Sequence, residues 1–444
     1  MANERIAGWG MYPVVEAHRT KARYLEDLVE SARAQRPVLA QGSCRSYGDA
    51  CLYSRVVSVL PLDHLLAFDP ERGVLRAEAG VTLERILEFA LPRGWFLPVT
   101  PGTKFPTLGG CLAADVHGKN HHVDGTIGNW VDEMEMVLAD GTCRRCSRQE
   151  DPDLFRATLG GMGLTGFIYA ATLRLRRVLS AYIRMRAVRT SHLADTCQIL
   201  AATQEEYTYS VAWIDCLSQG RDLGRSIVML GQHAAAGEQP GRQPLALHAQ
   251  GQLSIPFHFP GWALNRWSVK AFNALYYHRQ LRRTRDLVLH YDPFFYPLDA
   301  LAHWNRIYGR RGFLQYQIAI PFADGVDVMR DILERLAAQG AASFLAVLKT
   351  FGPPQEGLLS FPLPGYTLAL DLPLRGPGLI PFLRGLDRIV LAAGGRIYLA
   401  KDAIVERDVF AAMYPRLEEF KVVKRRYDPE GVFRSHQSDR LGLT

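Results

Sequence analysis

The sequence predicts an α+β fold in two domains, and three observations carry that expectation. The chain has 444 residues, too many for one ordinary hydrophobic core, so two units of roughly 200 residues each are the default. Amphipathic helical patterns are interleaved with strand-like runs and hairpin turns instead of following a strict strand–helix repeat. Three glycine-dense turns all precede Phe167, and the texture of the chain changes after about Arg177, which places the domain boundary near residue 178.

Composition narrows the class. Hydrophobic residues make up 48% and charged residues 22% of the chain, the proportions of a soluble globular protein. A formal charge of +7 suits phosphate-bearing ligands, anionic lipid headgroups or nucleic acid without choosing among them. No recognition-helix motif, zinc-finger spacing or RNP-like aromatic strand supports nucleic acid, so none is expected as a partner. Met1-Ala2-Asn3-Glu4-Arg5 lacks the apolar stretch of a Sec-type signal, and no window of about 20 uninterrupted apolar residues follows. The expectation is a chain without cleaved signal or membrane span, cytoplasmic or peripheral on the inner membrane. The seven cysteines are scattered and odd in number, which suits a reducing compartment. Cys143-Arg144-Arg145-Cys146 is a lone C-x-x-C, read as a hairpin strand after Ala139-Asp140-Gly141 and not as a zinc or redox site.

Along the chain, Tyr24, Leu25, Leu28, Val29 and Ala32 recur at helical spacing, and Pro37 opens a short strand. The strand Val38-Leu39-Ala40 runs into a polar turn, Gln41-Gly42-Ser43-Cys44-Arg45-Ser46-Tyr47-Gly48-Asp49, and a second strand, Val56 to Leu60, follows. Val74 to Val81 reads as a strand. Thr82 then caps a helix whose apolar face is Leu83, Ile86, Leu87, Ala90 and Leu91 and which ends near Gly94. A second turn runs from Pro101 to Gly110, and a third from Thr158 to Gly166 leads into the strand Phe167 to Leu175. Beyond Arg177, strand-like pieces (Val211 to Ile214, Phe313 to Ile320, Phe344 to Leu348, Thr367 to Leu372) accompany helical ones such as Val326 to Ala338. The Ala/Gly/Gln-rich stretch His233 to Gln252 reads as a mobile surface loop. After it come Phe257, Phe259, Trp262, Leu264, Trp267, Phe272, Tyr276 and Tyr277, then Arg279, Arg282, Arg283 and Arg285. Two readings stay open for this stretch, a lipid-facing surface or a core helix with a solvated end.

Chemistry concentrates in His117-Gly118-Lys119-Asn120-His121-His122, just after Gly109-Gly110. Glycine lets backbone N–H groups approach pyrophosphate oxygens, and successive amides form an anion-binding concavity, so the two turns point to a large anionic cofactor. Neither turn carries G-x-G-x-x-G or G-x-x-x-x-G-K-[ST], which argues against a simple Rossmann or P-loop protein. Asp115, His117, His121 and His122 are metal ligands by type. Gly118 and Asn120 disfavour the helix that would align His117 with His121, and no metal is expected.

Read together, Arg45 to Asp49, the PGT…TLGG turn, Asp115-Val116-His117-Gly118-Lys119-Asn120-His121-His122 and Gly163-Leu164-Thr165-Gly166 resemble the vanillyl-alcohol-oxidase superfamily of FAD enzymes. Within it the resemblance is to the decaprenylphosphoryl-β-D-ribose 2′-oxidase family. It continues through Tyr207-Thr208-Tyr209-Ser210, Ala212-Trp213, Phe313-Leu314-Gln315-Tyr316-Gln317, Leu348-Lys349, Phe351-Gly352-Pro353 and Ala400-Lys401-Asp402, and so covers nearly the whole chain. The resemblance implies a two-lobed PCMH-type FAD-binding domain over residues 1–178 and a substrate domain over 179–395, built on an antiparallel β-sheet with flanking helices. A segment 396–444 is expected to return to the FAD domain. Matching flavin contacts are Ala40, Gln41, Gly42, Ser43, Cys44, Arg45, Ser46, Tyr47, Gly48, Asp49 and Ala50, then Gly102, Thr107, Leu108, Gly109 and Gly110, then Ala114, Asp115, Val116 and His117, with Ile168 and Tyr398. Many relatives tether flavin through a histidine in the first turn; Tyr47 stands there, which implies non-covalent FAD.

Oxidising a secondary alcohol needs a hydride acceptor, which the flavin supplies, and a group that takes the hydroxyl proton. Lys401 is the expected base, its pKa lowered in a neighbourhood of Lys119, Lys349 and His117; Tyr47 is the alternative that orients or relays the proton. Lys119 and Lys349 are otherwise phosphate or hydroxyl contacts. Gln315 and Gln317, two apart on a strand, direct both carboxamides to one face toward sugar hydroxyls. Trp213 and Phe295 wall the sugar pocket. Thr367 is a further substrate contact, where mycobacterial relatives carry asparagine, and Ala369 stands where they carry cysteine, so a reagent aimed at that thiol has no target here. The implied reaction is FAD-dependent oxidation of the 2′-hydroxyl of a polyprenyl-phosphoryl pentose, the first half of a 2′-epimerisation that a separate short-chain NAD(P)H reductase completes. Peripheral membrane contact suits such a substrate. The alternative is a soluble alditol or aldonolactone oxidase.

Overall fold

A computed structural model of the protein describes residues 3–238, 243–247, 251–341 and 343–444. Residues 239–242 and 248–250 of the stretch read as a mobile loop lie outside the described residues.

The N-terminal domain has two lobes. In the first, the strands Glu4–Ala7, Val14–Lys21, Arg55–Ser58 and Leu39–Gln41 lie side by side, the last three parallel. Asp27 Oδ2 accepts from the backbone of Arg23 and Tyr24 at 2.7 and 3.0 Å, fixing the first turn of helix Leu25–Ala34. That helix buries Leu28 and Ala32 against Val38 and Val57, and against Val137 and Phe167 of the second lobe. The second lobe is an antiparallel sheet in the order Leu65–Asp69, Val74–Glu78, Phe167–Arg174, Val131–Val137, Cys143–Ser147. Cys143 is exposed and Cys146 buried, because residues three apart on a strand face opposite sides. Thr82 caps helix Leu83–Ala90 by accepting from Arg85 N at 3.3 Å, and the chain leaves it through Gly94 at φ +80°.

From Tyr182 the chain builds an eight-stranded antiparallel sheet in the order Thr284–His290, Tyr182–Thr190, Ser226–His233, Tyr209–Ile214, Ala346–Phe351, Gly365–Pro373, Phe313–Pro321, Arg396–Ile397. Side chains alternate across it. Tyr316, Ile318, Ile320, Leu348, Leu368 and Leu370 enter one core with Ile332, Leu333 and Leu336 of helix Gly325–Gln339. The residues between them turn to the opposite face, and this alternation positions the site. The chain is α+β, as its mixed pattern predicts.

After Ile397 the chain runs back to the first lobe through helices Arg407–Met413, Leu417–Tyr427 and His436–Leu441. Val38 N donates to Val432 O at 2.8 Å and Arg434 N to Val38 O at 3.2 Å. Phe433 packs edge-on to Phe167 with centroids 5.0 Å apart. The buried Lys424 ammonium is satisfied by Asp428 at 2.7 Å and by the carbonyls of Leu164 and Phe433, each at 3.0 Å.

Several expected boundaries shift. Phe344 precedes its strand, which starts at Ala346; its carbonyl instead accepts from Trp213 Nε1 at 3.2 Å. His233 ends the strand Ser226–His233, its ring against Phe96 and Tyr209, so it does not begin a loop. Arg396 and Ile397 still add an edge strand to the large sheet before the C-terminal segment departs. Tyr182–Thr190 and Thr284–His290 were not anticipated as strands, because arginines at alternate exposed positions, such as Arg184 and Arg186, give them the texture of solvated basic chain. Among the described residues, no helix is long and apolar enough to cross a membrane.

Candidate active site

Two turns from opposite ends of the chain meet backbone to backbone. Tyr47 N donates to Ala400 O at 3.0 Å, and a Cβ on Gly48 would lie 1.8 Å from the carbonyl oxygen of Asp402, so only glycine permits the approach. Asp402 folds its own turn by accepting from Ile404 N and Val405 N, both at 2.9 Å. Arg440 then clamps both turns, reaching Asp49 at 2.9 Å and Asp402 at 2.8 Å. The result sets the Lys401 ammonium 3.9 Å from the centroid of the Tyr47 ring. Burial lowers the Lys401 pKa to about 8 against the opposing pull of Asp371, and burial pushes the Tyr47 phenol well up.

The face of the large sheet turned away from helix Gly325–Gln339 carries the remaining polar groups. Register places Gln315 opposite Asp371, Gln317 opposite Ala369, Ala369 opposite Val347, and Thr367 opposite Lys349, with Trp213 beside Val347. Gln317 Nε2 donates to Thr367 Oγ1 at 3.3 Å and to His117 Nε2 at 3.0 Å. That leaves the imidazole proton on Nδ1, which faces Lys349 Nζ at 3.2 Å, and the contact is a hydrogen bond when Lys349 is a neutral amine. The electrostatics agree: burial, then Lys119 and Lys401, lower Lys349 to about 7, and burial followed by Lys349 drives His117 well below its ordinary value. Lys119 donates to Phe295 O at 3.1 Å, and burial lowers it to about 8. Each of the three lysines keeps part of its surface open.

Other sequence candidates have supporting positions. Phe295 is enclosed by Phe96, Tyr209 and Phe294 and offers the site its carbonyl. Trp213 is buried against Tyr276, with centroids 4.6 Å apart. Asp115, at φ +39°, accepts from Gly128 N at 3.1 Å and from the Ser360 hydroxyl; burial raises its pKa to about 6. His121 Nδ1 accepts from Gly352 N at 3.0 Å, and His122 Nε2 faces Tyr207 O at 3.0 Å. These two histidines brace loops.

Comparison with known proteins identifies the relatives. A family model described as an FAD binding domain matches residues 16–147, and one described as D-arabinono-1,4-lactone oxidase matches residues 376–441. Decaprenylphosphoryl-β-D-ribose oxidase of Mycolicibacterium smegmatis is 36% identical over 99% of this chain and 98% of its own length. The chain belongs to the decaprenylphosphoryl-β-D-ribose oxidase family. An uncharacterized Streptomyces coelicolor protein in the mprA 5′ region is 36% identical over 82% of this chain and 100% of its own. The human Delta(24)-sterol reductase is 30% identical over only 29% of this chain. As a member of the decaprenylphosphoryl-β-D-ribose oxidase family, the chain is an FAD-dependent oxidoreductase with FAD as its cofactor.

The first turn fits that cofactor, whereas the second departs from the expectation, because the amides of Leu108, Gly109 and Gly110 are bonded within the protein. Among the described residues, no protein acceptor takes the N–H groups of Ser43, Cys44, Arg45 or Ser46. Cys44 at φ +52° bends this run into a concavity of the kind that binds anions. Gly42 and Gly109 are packing glycines, whose added Cβ atoms would lie 2.3 Å from Thr107 Oγ1 and 2.8 Å from the Ala79 Cβ. Gly110 and Gly102, in contrast, are exposed. Leu108 N and Gly109 N are already taken by Val81 O and Ala79 O, and Gly110 N by Thr107 Oγ1. Ala40, Ala50, Gln41 and Ile168 form the packed walls behind these turns, Val116 is half-buried, and Tyr398 donates to Ala114 O at 3.0 Å while stacking on Phe361.

Sequence reasoning missed Asp371, Tyr308 and Arg440. Asp371 is fully buried, accepts from Gln315 and from Tyr308 Oη at 3.4 Å, and is raised to about 7 by burial. Its only signal was a carboxylate at the same strand parity as Thr367 and Ala369.

Proposed function

We propose that the protein oxidises the 2′-hydroxyl of a polyprenyl-phosphoryl pentose to the 2′-keto sugar, the first half of a 2′-epimerisation. Three part-buried lysine amines of lowered pKa, Lys119, Lys349 and Lys401, carry this reading because they gather around one polar sheet face. The bound cofactor supplies the two-electron acceptor. Neutral Lys401 takes the hydroxyl proton, with Tyr47 beneath it holding the amine in place. Lys119 and Lys349 receive the phosphate or a sugar hydroxyl, Gln315, Gln317 and Thr367 orient the ring, and Trp213 closes one side. A short-chain NAD(P)H reductase consumes the keto product, and contact with a lipid surface delivers the substrate. FAD is held without a covalent link, so acid precipitation of the protein leaves the yellow flavin in the supernatant; a coloured pellet would contradict this.

The test is anaerobic mixing of purified protein with a prenyl-phosphoryl ribose while following flavin absorbance. Bleaching that is lost in Lys401→Ala supports the reading. A second reading, a soluble alditol or aldonolactone oxidase, draws on the match of residues 376–441 to the lactone-oxidase model. Bleaching by free polyols or aldonolactones, with none by the lipid-linked sugar, favours it.

A further inference from the structure

The 40-residue stretch 251–290 contains six lysines and arginines and a single acidic residue, Asp286. Its helix Arg266–His278 is built with two contrasting faces. The inner face buries Val269, Asn273 and Tyr277, with Asn273 Nδ2 donating to Asp215 at 2.8 Å and Tyr277 Oη to Thr190 O at 3.0 Å. The outer face carries Trp267, Ala271 and Leu275, one turn apart. Trp267 is 76% and Leu275 73% exposed, and the adjoining Trp262 and Leu281 are 75% and 85% exposed. An outer face of a water-soluble helix is ordinarily polar. Here it is apolar with a cationic border of Arg266, Lys270, Arg279, Arg282, Arg283 and Arg285, all exposed.

We propose that this face docks on an anionic lipid bilayer, with Trp262, Trp267 and Leu275 at the headgroup level. Charge complementarity selects the occupant. Tryptophan and leucine beside arginine and lysine match the boundary between acyl chains and anionic headgroups. The acidic groups nearby leave most of the cations uncancelled: Asp286 is held by Arg186 at 2.8 Å and Glu238 by Arg184 at 3.2 Å, and Asp195, which also accepts from Ser191 N at 3.2 Å, pairs with Arg283 at 3.4 Å, so that among the described residues the other five border cations have no ion pair. The docking face also touches the site. Tyr276 of the same helix packs on Trp213, and Phe272 packs on Phe344 at 5.7 Å between centroids, so the helix forms the outer wall behind the polar sheet face. A prenyl chain can stay in the bilayer while its sugar phosphate reaches the lysines; this delivery role rests on the lipid-linked substrate reading, whereas docking does not.

The experiment sediments the full-length holoprotein with vesicles of phosphatidylcholine alone or mixed with phosphatidylglycerol. Binding is expected to the anionic vesicles, to weaken as salt rises, and to fall about tenfold or more in Trp267→Ser/Leu275→Ser. Bleaching by a short-chain, water-soluble prenyl-phosphoryl ribose should survive in that variant. Failure of the wild type to bind anionic vesicles, or equal binding by the variant, overturns the docking proposal. So does a dimer in sedimentation equilibrium that the variant dissolves while vesicles are ignored, since the face then belongs to a second copy. Vesicle binding without bleaching by the soluble substrate supports docking and counts against the substrate reading alone.

Discussion

A lysine amine accepts a proton only when it is neutral, so the lowered pKa of Lys401, about 8, sets a pH dependence. The anaerobic rate of flavin reduction should rise with pH and level off above about 8, as the free amine becomes the major form. Lys401→Arg should lose about 10²-fold or more in that rate, because a guanidinium stays protonated and cannot act as the base. A rate that is flat from pH 6 to 9 would count against Lys401. Asp371 tests the same amine from the other side, since its carboxylate favours the charged lysine. Asp371→Asn should therefore lower the Lys401 pKa further and move the rising limb of the profile to lower pH, an outcome that loss of packing alone would not produce. Lys401, Tyr47 and His117 were legible as single residues because their types and motifs stand out. Asp371 was not, because one carboxylate in an apolar strand acquires meaning only from its register against Gln315.

Local elements were the most legible level. Thr82, the apolar face from Leu83 to Leu91 and Gly94 carry their start, side and stop signals within a few residues, and the helix forms there. The glycine turns were legible as turns, but what each glycine meets was not, because the neighbours are remote in sequence. Gly48→Ala and Gly102→Ala separate the two kinds. A methyl on Gly48 would overlap the carbonyl of Asp402, whereas on Gly102 it meets nothing within 4 Å. Gly48→Ala should cost about 1–3 kcal/mol of stability and lower FAD content, read as a drop in Tm and in the flavin-to-protein absorbance ratio. The apoprotein of Gly102→Ala should melt with the wild type. Equal melting of both apoproteins would show that the Tyr47–Gly48 turn does not rest on the Ala400–Asp402 turn.

At the scale of the whole molecule, the site exists only when the two ends of the chain are joined. Arg440 lies 391 residues from Asp49 and 38 from Asp402, and spans both. Nothing local marks it: an arginine in a short terminal helix reads as solvated, and its two partners are singled out only when the fold brings them together. Asp49 and Asp402 are each 4% exposed, so removing the guanidinium strands two carboxylates away from water. Breaking such a pair from one side costs about 3–5 kcal/mol, and the strain falls on the turns that set Lys401 over Tyr47. Arg440→Met should therefore lower Tm, release FAD on dilution and slow flavin reduction more than it weakens substrate binding. Adding Asp49→Asn to Arg440→Met should recover part of the lost stability, because one stranded charge is gone. If the single variant keeps its FAD and its rate, the terminal helix is an ornament on the fold and the Lys401 turn is held by the sheet alone.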